Sequence, residues 1–462
     1  MNIILFDRDL RIFDHQPMAE AAKMGEILPL YIIEPSQWEA PAYSARHFQF
    51  VIESLEDLSD QIQGKGGRLF YSINEVEIVL EKLLEAYDSM NVFIHRSSGL
   101  LEKLTGWTEE NQQRLFIYGA EFDQVSAKAF NKQFQSYRDE PCAEAPAKIF
   151  VPKETPSILF TDMKKIHQFR VKGKKIRFGQ QGGESRAIET LDSFLEERYA
   201  NYVENQQKPL PSSFSSSRLS AYIAWGNISV RTIFQRTTEK LQSCENDDEK
   251  LQLEAFLSKI TARVRTTCNQ PEHKQDTEVS KIKNEWNEEW FQRWLEGRTG
   301  VPVIDAAMRS LVKTGWMNYS LREMVTSFIA NTLMLDGQKP SDALAQLYLD
   351  YDPALHDFYV QQITGLRMKK VKIINPIKVG KQIDPDGTFI RRYVTELEKV
   401  PVEYVHEPWL YPAFYQLGYP PPIIDVIKAN KLAGQRFKSL TKKDESSGKN
   451  GGDETGQLSF DI

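Results

Sequence analysis

The first 118 residues alternate short apolar runs with amphipathic stretches, and this alternation constrains the fold more than any other feature. The apolar runs are Asn2–Phe6 (NIILF), Ile27–Ile33 (ILPLYII), Arg68–Ser72, Val92–His95 and Leu115–Tyr118. Their length and β-branched content read as strands. Between them lie Gln16–Met24, His47–Gln63 and Val76–Tyr87. In the second of these, Phe48, Val51, Ile52, Leu55, Leu58 and Ile62 recur at helical spacing. Strands separated by helices predict a parallel, Rossmann-like sheet covered on both faces. Such sheets bind ligands at the carboxyl ends of their strands.

The pattern breaks after residue 135. Pro141, Pro146, Pro152 and Pro156 punctuate the chain, and Lys164 to Arg177 carries seven Lys/Arg and no acid. This reads as a connection between domains. From Gly183 the apolar spacing is helical, as in Ile188, Leu191, Phe194 and Leu195. The stretch Thr441–Gly456 is charged and Gly/Ser-rich, which favours disorder. The expected organisation is an α/β domain over 1–135, a linker over 136–182, an all-helical domain over 183–440 and a disordered tail over 441–462.

At 462 residues the chain is too long for one simple core. Its net charge of −6 gives no global signal for nucleic acid, so any such contact needs a local basic patch. The segment Arg367–Lys381, with six Lys/Arg and no acid, is one candidate for contact with DNA; a solvated loop is the other reading. Cys142, Cys244 and Cys268 are widely spaced and form no CxxC, so no metal site is expected and a reducing cytoplasm is the simple location. No apolar stretch reaches 18 residues, so no membrane span is expected.

Two blocks carry chemistry. The first joins GGESRAIETLDSFLEERYANY (Gly182–Tyr202) to SSSRLSAYIAWGNIS (Ser215–Ser229). Clustered hydroxyls at a helix start can cradle phosphate, or can simply cap an ordinary helix. The second runs from Trp290 to Leu397 and includes WFQRWLEGRTGVPVIDAAMRSLVKTGWMNYS, LREMVTSFIANTLM and NPIKVGKQIDPDGTFIRRYVTEL. Together with LFDRDLRIFDHQPMAEAAKMGEILPLYIIEP near the start and VHEPWLYP near the end, these segments resemble the DNA photolyase/cryptochrome family.

The resemblance implies FAD in the helical domain. It assigns Ser216, Ser217, Arg218, Leu219 and Ser220 to the cofactor, and Arg263 to its phosphates. Arg322 and Asp350 become an ion pair beside the isoalloxazine ring, with Asp352 a second acid at the cofactor. Tyr202, Phe256 and Tyr319 complete the surroundings. His356 falls at the residue facing the flavin's N5, the one position given a catalytic part, and a histidine there is expected to titrate near neutrality. Family members often carry an antenna chromophore in the first domain. His95–Gly106 departs from the folate-binding versions, which leaves the antenna's identity open.

Other positions also depart from the family. Asp7 replaces a basic residue. Val360 and Gly337 stand at two positions of the electron-donating tryptophan chain, and Trp286 lies near the third. Trp294, Trp316 and Tyr359 offer another route or simple packing. At the lesion-contact positions, Lys259 replaces an acid, Ala262 a stacking Trp, Tyr319 an Asn, Glu323 a Met and Gln362 an aromatic. Lost stacking removes roughly 1–3 kcal/mol per base. The expected function is therefore a cryptochrome-like blue-light-responsive flavoprotein. Alternatives are a deoxyribodipyrimidine photolyase (a carbon–carbon lyase) with a rebuilt lesion site, a flavoprotein without photochemistry, and a non-flavin α/β interaction protein.

Overall fold

The structure is a computed structural model that describes residues 1–122, 126–159, 161–268, 286–335, 337–365 and 371–445. The chain packs as two compact units. The first comprises Met1–Lys175, Gln180–Glu197 and Ser217–Ile260. The second comprises Ile176–Gly179, Arg198–Ser216 and Thr261–Ile462.

The first unit is built on five parallel strands: β1 (Asn2–Phe6), β2 (Ile27–Ile33), β3 (Phe70–Ile73), β4 (Asn91–His95) and β5 (Arg114–Tyr118). Their order is β3-β2-β1-β4-β5. β1 and β2 are buried along their whole length, which is why they read as continuous apolar runs without alternation. Helices α1 (Gln16–Lys23), α2 (Ala45–Gly64), α3 (Val76–Tyr87) and α4 (Leu101–Glu110) follow the first four strands. The helical stripe expected on α2 is its buried face, with Val51, Leu55, Leu58 and Ile62 at 0% exposure.

This unit extends beyond the expected boundary at residue 135. Ile149, Leu159 and Ile166 are buried, so the stretch after 135 is packed rather than a free connection. Helix α5 (Ala127–Asp139) follows β5. The Glu184 carboxylate, in the first turn of α6 (Glu184–Glu196), accepts the Ile12 and Phe13 N–H groups at 2.8 and 3.0 Å. Helix α7 (Val230–Ser243) packs on α5, and its Arg231 meets the buried Asp14 at 3.3 Å. Long-range polar ties therefore bring segments that look purely helical in sequence onto the sheet.

At the carboxyl ends of β1 and β4, one oxygen of the buried Asp9 faces two histidines, His15 Nε2 at 3.0 Å and His95 Nδ1 at 2.6 Å. His15 Nδ1 accepts the Met18 N–H, so its Nε2 carries the hydrogen and donates to Asp9. That tautomer presents no lone pair toward the carboxylate. The cluster is thus a hydrogen-bonded carboxylate; a metal-ligating histidine usually donates from its other nitrogen instead.

The second unit is helical. Its core joins Phe291, Trp294, Ile304, Leu311, Val325, Phe328, Ile390 and Leu397. These come from α8 (Glu288–Leu295), α9 (Pro302–Thr314), α10 (Tyr319–Ser327), the turn that continues it at Phe328 and the segments after Thr388. The GRTG turn before α9 is organised by Asp305, which is fully buried. Asp305 accepts from Thr299 N, Thr299 Oγ and Gly300 N at 2.7, 2.6 and 2.9 Å, and from the Tyr419 hydroxyl. Gly300 has φ +78°, and a Cβ there would meet the Pro421 carbonyl oxygen at 2.3 Å, so glycine is required. α10 runs into a wide turn over Phe328–Thr332, where the Leu333 N–H donates five residues back to Phe328. Such turns interrupt helices mostly at functional places. The helix Val426–Glu445 carries regular structure past the expected tail boundary at 441, while 446–462 lie outside the described residues. No helix among the described residues is long and apolar enough to cross a membrane.

Candidate functional site

Asn318 caps α10 by accepting the Leu321 N–H, which places Arg322 one turn inside the helix. Arg322 Nη2 reaches both oxygens of Asp350 at 2.8 and 2.6 Å, and its Nε donates to the Met317 carbonyl at 2.8 Å. The guanidinium carbon stands 4.1 Å from the Tyr348 ring centroid. Burial opposes the charge on Arg322, but the Asp350 carboxylate outweighs it and raises the guanidinium pKa. Removing either partner of such a pair leaves a buried charge, at a cost of about 3–5 kcal/mol.

Asp352 caps α11 (Pro353–Thr364) through the Leu355 N–H. Its other oxygen lies 3.6 Å from Arg263 Nη2, too far for a hydrogen bond. Arg263 is buried, and among the described residues this Nη2 has no hydrogen-bond partner. Ser216 Oγ is likewise buried without one, as is Gln362 Oε1. Buried polar atoms are nearly always satisfied, so three in one unit call for an explanation. Tyr202, of the same unit, is buried.

His356, on α11, is partly buried, with Nε2 2.9 Å from Ser341 Oγ and 3.1 Å from the Ser341 carbonyl oxygen. Its ring stands edge-on to Tyr351 at 5.6 Å. Burial pushes its pKa down to about 4, against the opposing pull of the Ser341 carbonyl. The expectation of titration near neutrality is corrected: His356 is neutral at pH 7, because desolvation exceeds what its neighbours return.

Two further second-unit positions acquire partners that sequence did not reveal. Glu323 receives Lys372 Nζ on both oxygens, at 2.6 and 2.7 Å. Tyr319 is buried, with its ring 5.5 Å from Tyr359. The candidate DNA segment Arg367–Lys381 is only partly described, since 366–370 lie outside the described residues. Of its described cations, Lys372 binds Glu323 and Lys381 binds Glu407, leaving Lys378 exposed. Two of its three described cations are therefore paired.

The tryptophans form a partial series. Trp286 is 41% exposed, Phe291 lies 5.2 Å from it, and the fully buried Trp294 lies 6.0 Å further on. The Trp294 indole N–H donates to the Val325 carbonyl at 3.2 Å. Gly337 has open space where a Cβ would stand, but φ +113° disfavours any other residue.

The remaining predicted residues belong to the first unit. Arg218 adopts φ +62°, a left-handed conformation that is uncommon outside glycine, and the Gln180 amide donates to its carbonyl at 2.8 Å. Ser217 accepts the Leu219 N–H at 3.3 Å. Leu219 is fully buried, and Ser220 Oγ is buried without a hydrogen-bond partner among the described residues. Phe256 packs against Phe194 with centroids 4.7 Å apart. Backbone strain of this kind gathers at functional turns, and no sequence signal marks Arg218 for it.

Residues 2–129 match the family described as DNA photolyase, and residues 249–439 the FAD binding domain of DNA photolyase. A deoxyribodipyrimidine photo-lyase of Alkalihalophilus pseudofirmus is 26% identical, over 95% of this chain and 98% of its own. Cryptochrome-2 of Arabidopsis thaliana is 27% identical, over 93% of this chain and 77% of its own. The crystal structure of a bacterial class III photolyase from Agrobacterium tumefaciens superposes with a TM-score of 0.81 at 25% identity, covering 96% of this chain and 98% of that one. The parallel-sheet unit, the helical unit and these matches agree: the chain belongs to the DNA photolyase/cryptochrome family and carries that family's FAD-binding domain.

Proposed function

We propose that this flavoprotein is cryptochrome-like, responding to blue light rather than repairing DNA efficiently. The observation that carries this reading is Glu323, a carboxylate in place of a lesion-contacting Met, held by Lys372 on both oxygens. This partly buried ion pair resists being displaced by an apolar base, because Glu323, its less exposed member, would lose its counter-charge. Ala262 and Gln362 remove stacking surface at two further positions.

The cofactor roles follow from chemistry that the unpartnered atoms leave unsatisfied. Arg263 Nη2 is a buried cationic donor and Ser216 Oγ a hydroxyl, a set that suits a phosphate. Asp352, half-satisfied by its capping role, offers an acceptor oxygen. Arg322 donates to both Asp350 oxygens, whose remaining lone pairs can accept a hydrogen bond from a ring N–H. By the family resemblance, Ser217, Arg218, Leu219, Ser220 and Phe256 are further cofactor candidates, as are Tyr202 and Tyr319. His356, neutral and tied to Ser341, would orient its ring without changing charge near pH 7. A bound flavin would supply light absorption and one-electron chemistry.

Contact with DNA, where it occurs, would be weak and largely electrostatic in this reading, and we place the protein in the cytoplasm. The deciding experiment is repair of a pyrimidine-dimer oligonucleotide by chemically reduced protein under near-UV light, with little turnover expected.

A further inference from the structure

We propose that the outer edge of β5 is a self-association surface, which pairs with β5 of a second copy of this chain and extends the sheet across a two-fold axis. β5 ends the strand order β3-β2-β1-β4-β5. The Arg114 N–H donates to the Met90 carbonyl at 3.4 Å, and the Tyr118 carbonyl accepts the Arg96 N–H at 2.7 Å. In a parallel ladder the N–H and C=O of one residue point to the same side, and the side alternates along the strand. Arg114, Phe116 and Tyr118 therefore turn their backbone groups to β4, and Leu115 and Ile117 turn theirs outward. Among the described residues nothing bonds to those outward groups.

The sheet's other edge is covered by the chain itself. The turn Ser157–Leu159 packs on β3, and Leu159 is buried in the same core cluster as Phe70. On β5, with α1 and α4 packed against it, Ile117 is still 37% exposed. Bare edges are usually blunted by Lys, Pro or a bulge. The stretch QQRLFIY over 112–118 has no Lys or Pro, its register with β4 is unbroken, and its only charge is Arg114. An apolar, regular edge of this kind is a template for another strand.

The occupant follows from the register. A two-fold axis through Phe116 sets the strands antiparallel, with Leu115 opposite the partner's Ile117. Those two residues then exchange both backbone bonds, and Ile117 does the same with the partner's Leu115, so every outward group is paired. Opposed residues share a face, so Ile117 is covered by an apolar side chain. Arg114 is exposed, makes no ion pair among the described residues, and comes to stand against the partner's Tyr118. Burial, and next the Glu20 carboxylate of α1, raise the Tyr118 hydroxyl pKa, so an acid stands near the ring that this guanidinium reaches. Ring and acid both favour a cation. The two Arg114 residues stay about 14 Å apart along the strands, beyond the screening length of about 8 Å. An unrelated strand could take the backbone bonds, but a second copy also brings these matched side chains. The inference rests on the first unit alone and does not depend on the flavin reading.

The test uses the full chain in sedimentation velocity from about 1 to 300 μM. An edge of five residues buries less than a standard interface, so a weak, reversible dimer is expected. Hydrogen exchange read at single residues should show the Leu115 and Ile117 amides fast in dilute protein and slowed as dimer forms. The Phe116 amide, which faces β4, should be slow throughout. Ile117→Lys should raise the dimer dissociation constant by about 10-fold or more while keeping the wild-type circular dichroism. Arg114→Glu tests the same register without touching an apolar position, and should also weaken the dimer. A chain that stays monomeric at the highest concentration would overturn the proposal. So would a dimer that both variants leave unchanged, or one in which the Leu115 and Ile117 amides remain fast.

Discussion

Lys372 closes on Glu323 across 49 residues of sequence, donating to both carboxylate oxygens at 2.6 and 2.7 Å. The pair changes what Glu323 means. As a lone acid it would repel a polyanion; paired, it is a polar surface that resists dehydration. Lys372→Met should lower stability by about 1 kcal/mol, because Lys372 is partly open to solvent and the pair is screened. Glu323→Met/Lys372→Met should recover part of that loss. A double-mutant cycle in urea checks this, and simple additivity would mean that the two residues do not interact.

The neutral state of His356 has a defined pH signature. Its folded pKa of about 4 lies below the ordinary value of 6.5. Between those values the unfolded chain binds the proton and the folded one does not. Stability should therefore fall as pH drops from about 6.5 toward 4, and be level above that window. His356→Asn removes this proton uptake and should flatten the slope. Unfolding midpoints from pH 4.5 to 7.5 measure it, and an identical slope in the variant would place the histidine's pKa near its ordinary value.

Sequence made the sheet legible because parallel strands buried on both faces have no polar register to hide them. β1 and β2 fall where the apolar runs do, and β3 is displaced by only one or two residues. The unit boundaries were less legible. They depend on single polar ties, such as Glu184 to Ile12 and Phe13 across 172 and 171 residues, which leave no periodic trace. The electrostatics around the candidate residues were not legible. Nothing near Glu323 announces Lys372, and nothing near His356 announces Ser341.

Arg263 should contribute strongly to cofactor retention. Its Nη2 lacks a hydrogen-bond partner among the described residues, so a ligand's phosphate would supply one. Arg263→Gln should raise the FAD dissociation constant by about 10- to 150-fold, equivalent to roughly 1.5–3 kcal/mol. Flavin per protein after purification, and fluorescence titration of the flavin-free chain, read this directly. Full occupancy with unchanged affinity would assign Arg263 to Asp352 alone.

Asp305 should prove structural. Burial pushes its carboxyl up to about 6, yet four donors converge on it. Asp305→Asn would set an amide N–H₂ against those donors and should destabilise the fold by about 3 kcal/mol or more. Denaturant unfolding tests this, and a change under 1 kcal/mol would contradict it.

Light-driven reduction should be slow, because Val360 and Gly337 offer no oxidisable side chain. Trp286→Phe should leave that slow rate unchanged. The measurement is flavin bleaching under blue light with an external reductant. Rapid bleaching that Trp294→Phe abolishes would show that Trp286, Phe291 and Trp294 act as a conducting series.

The central claim is that this member of the family no longer presents a productive lesion surface. Its most direct test gives dithionite-reduced protein a pyrimidine-dimer oligonucleotide under near-UV light and counts repaired strands per protein. The account predicts less than one turnover under conditions where an active photolyase completes many. Sustained multiple turnover would contradict it and make the protein a repair enzyme with a rebuilt pocket.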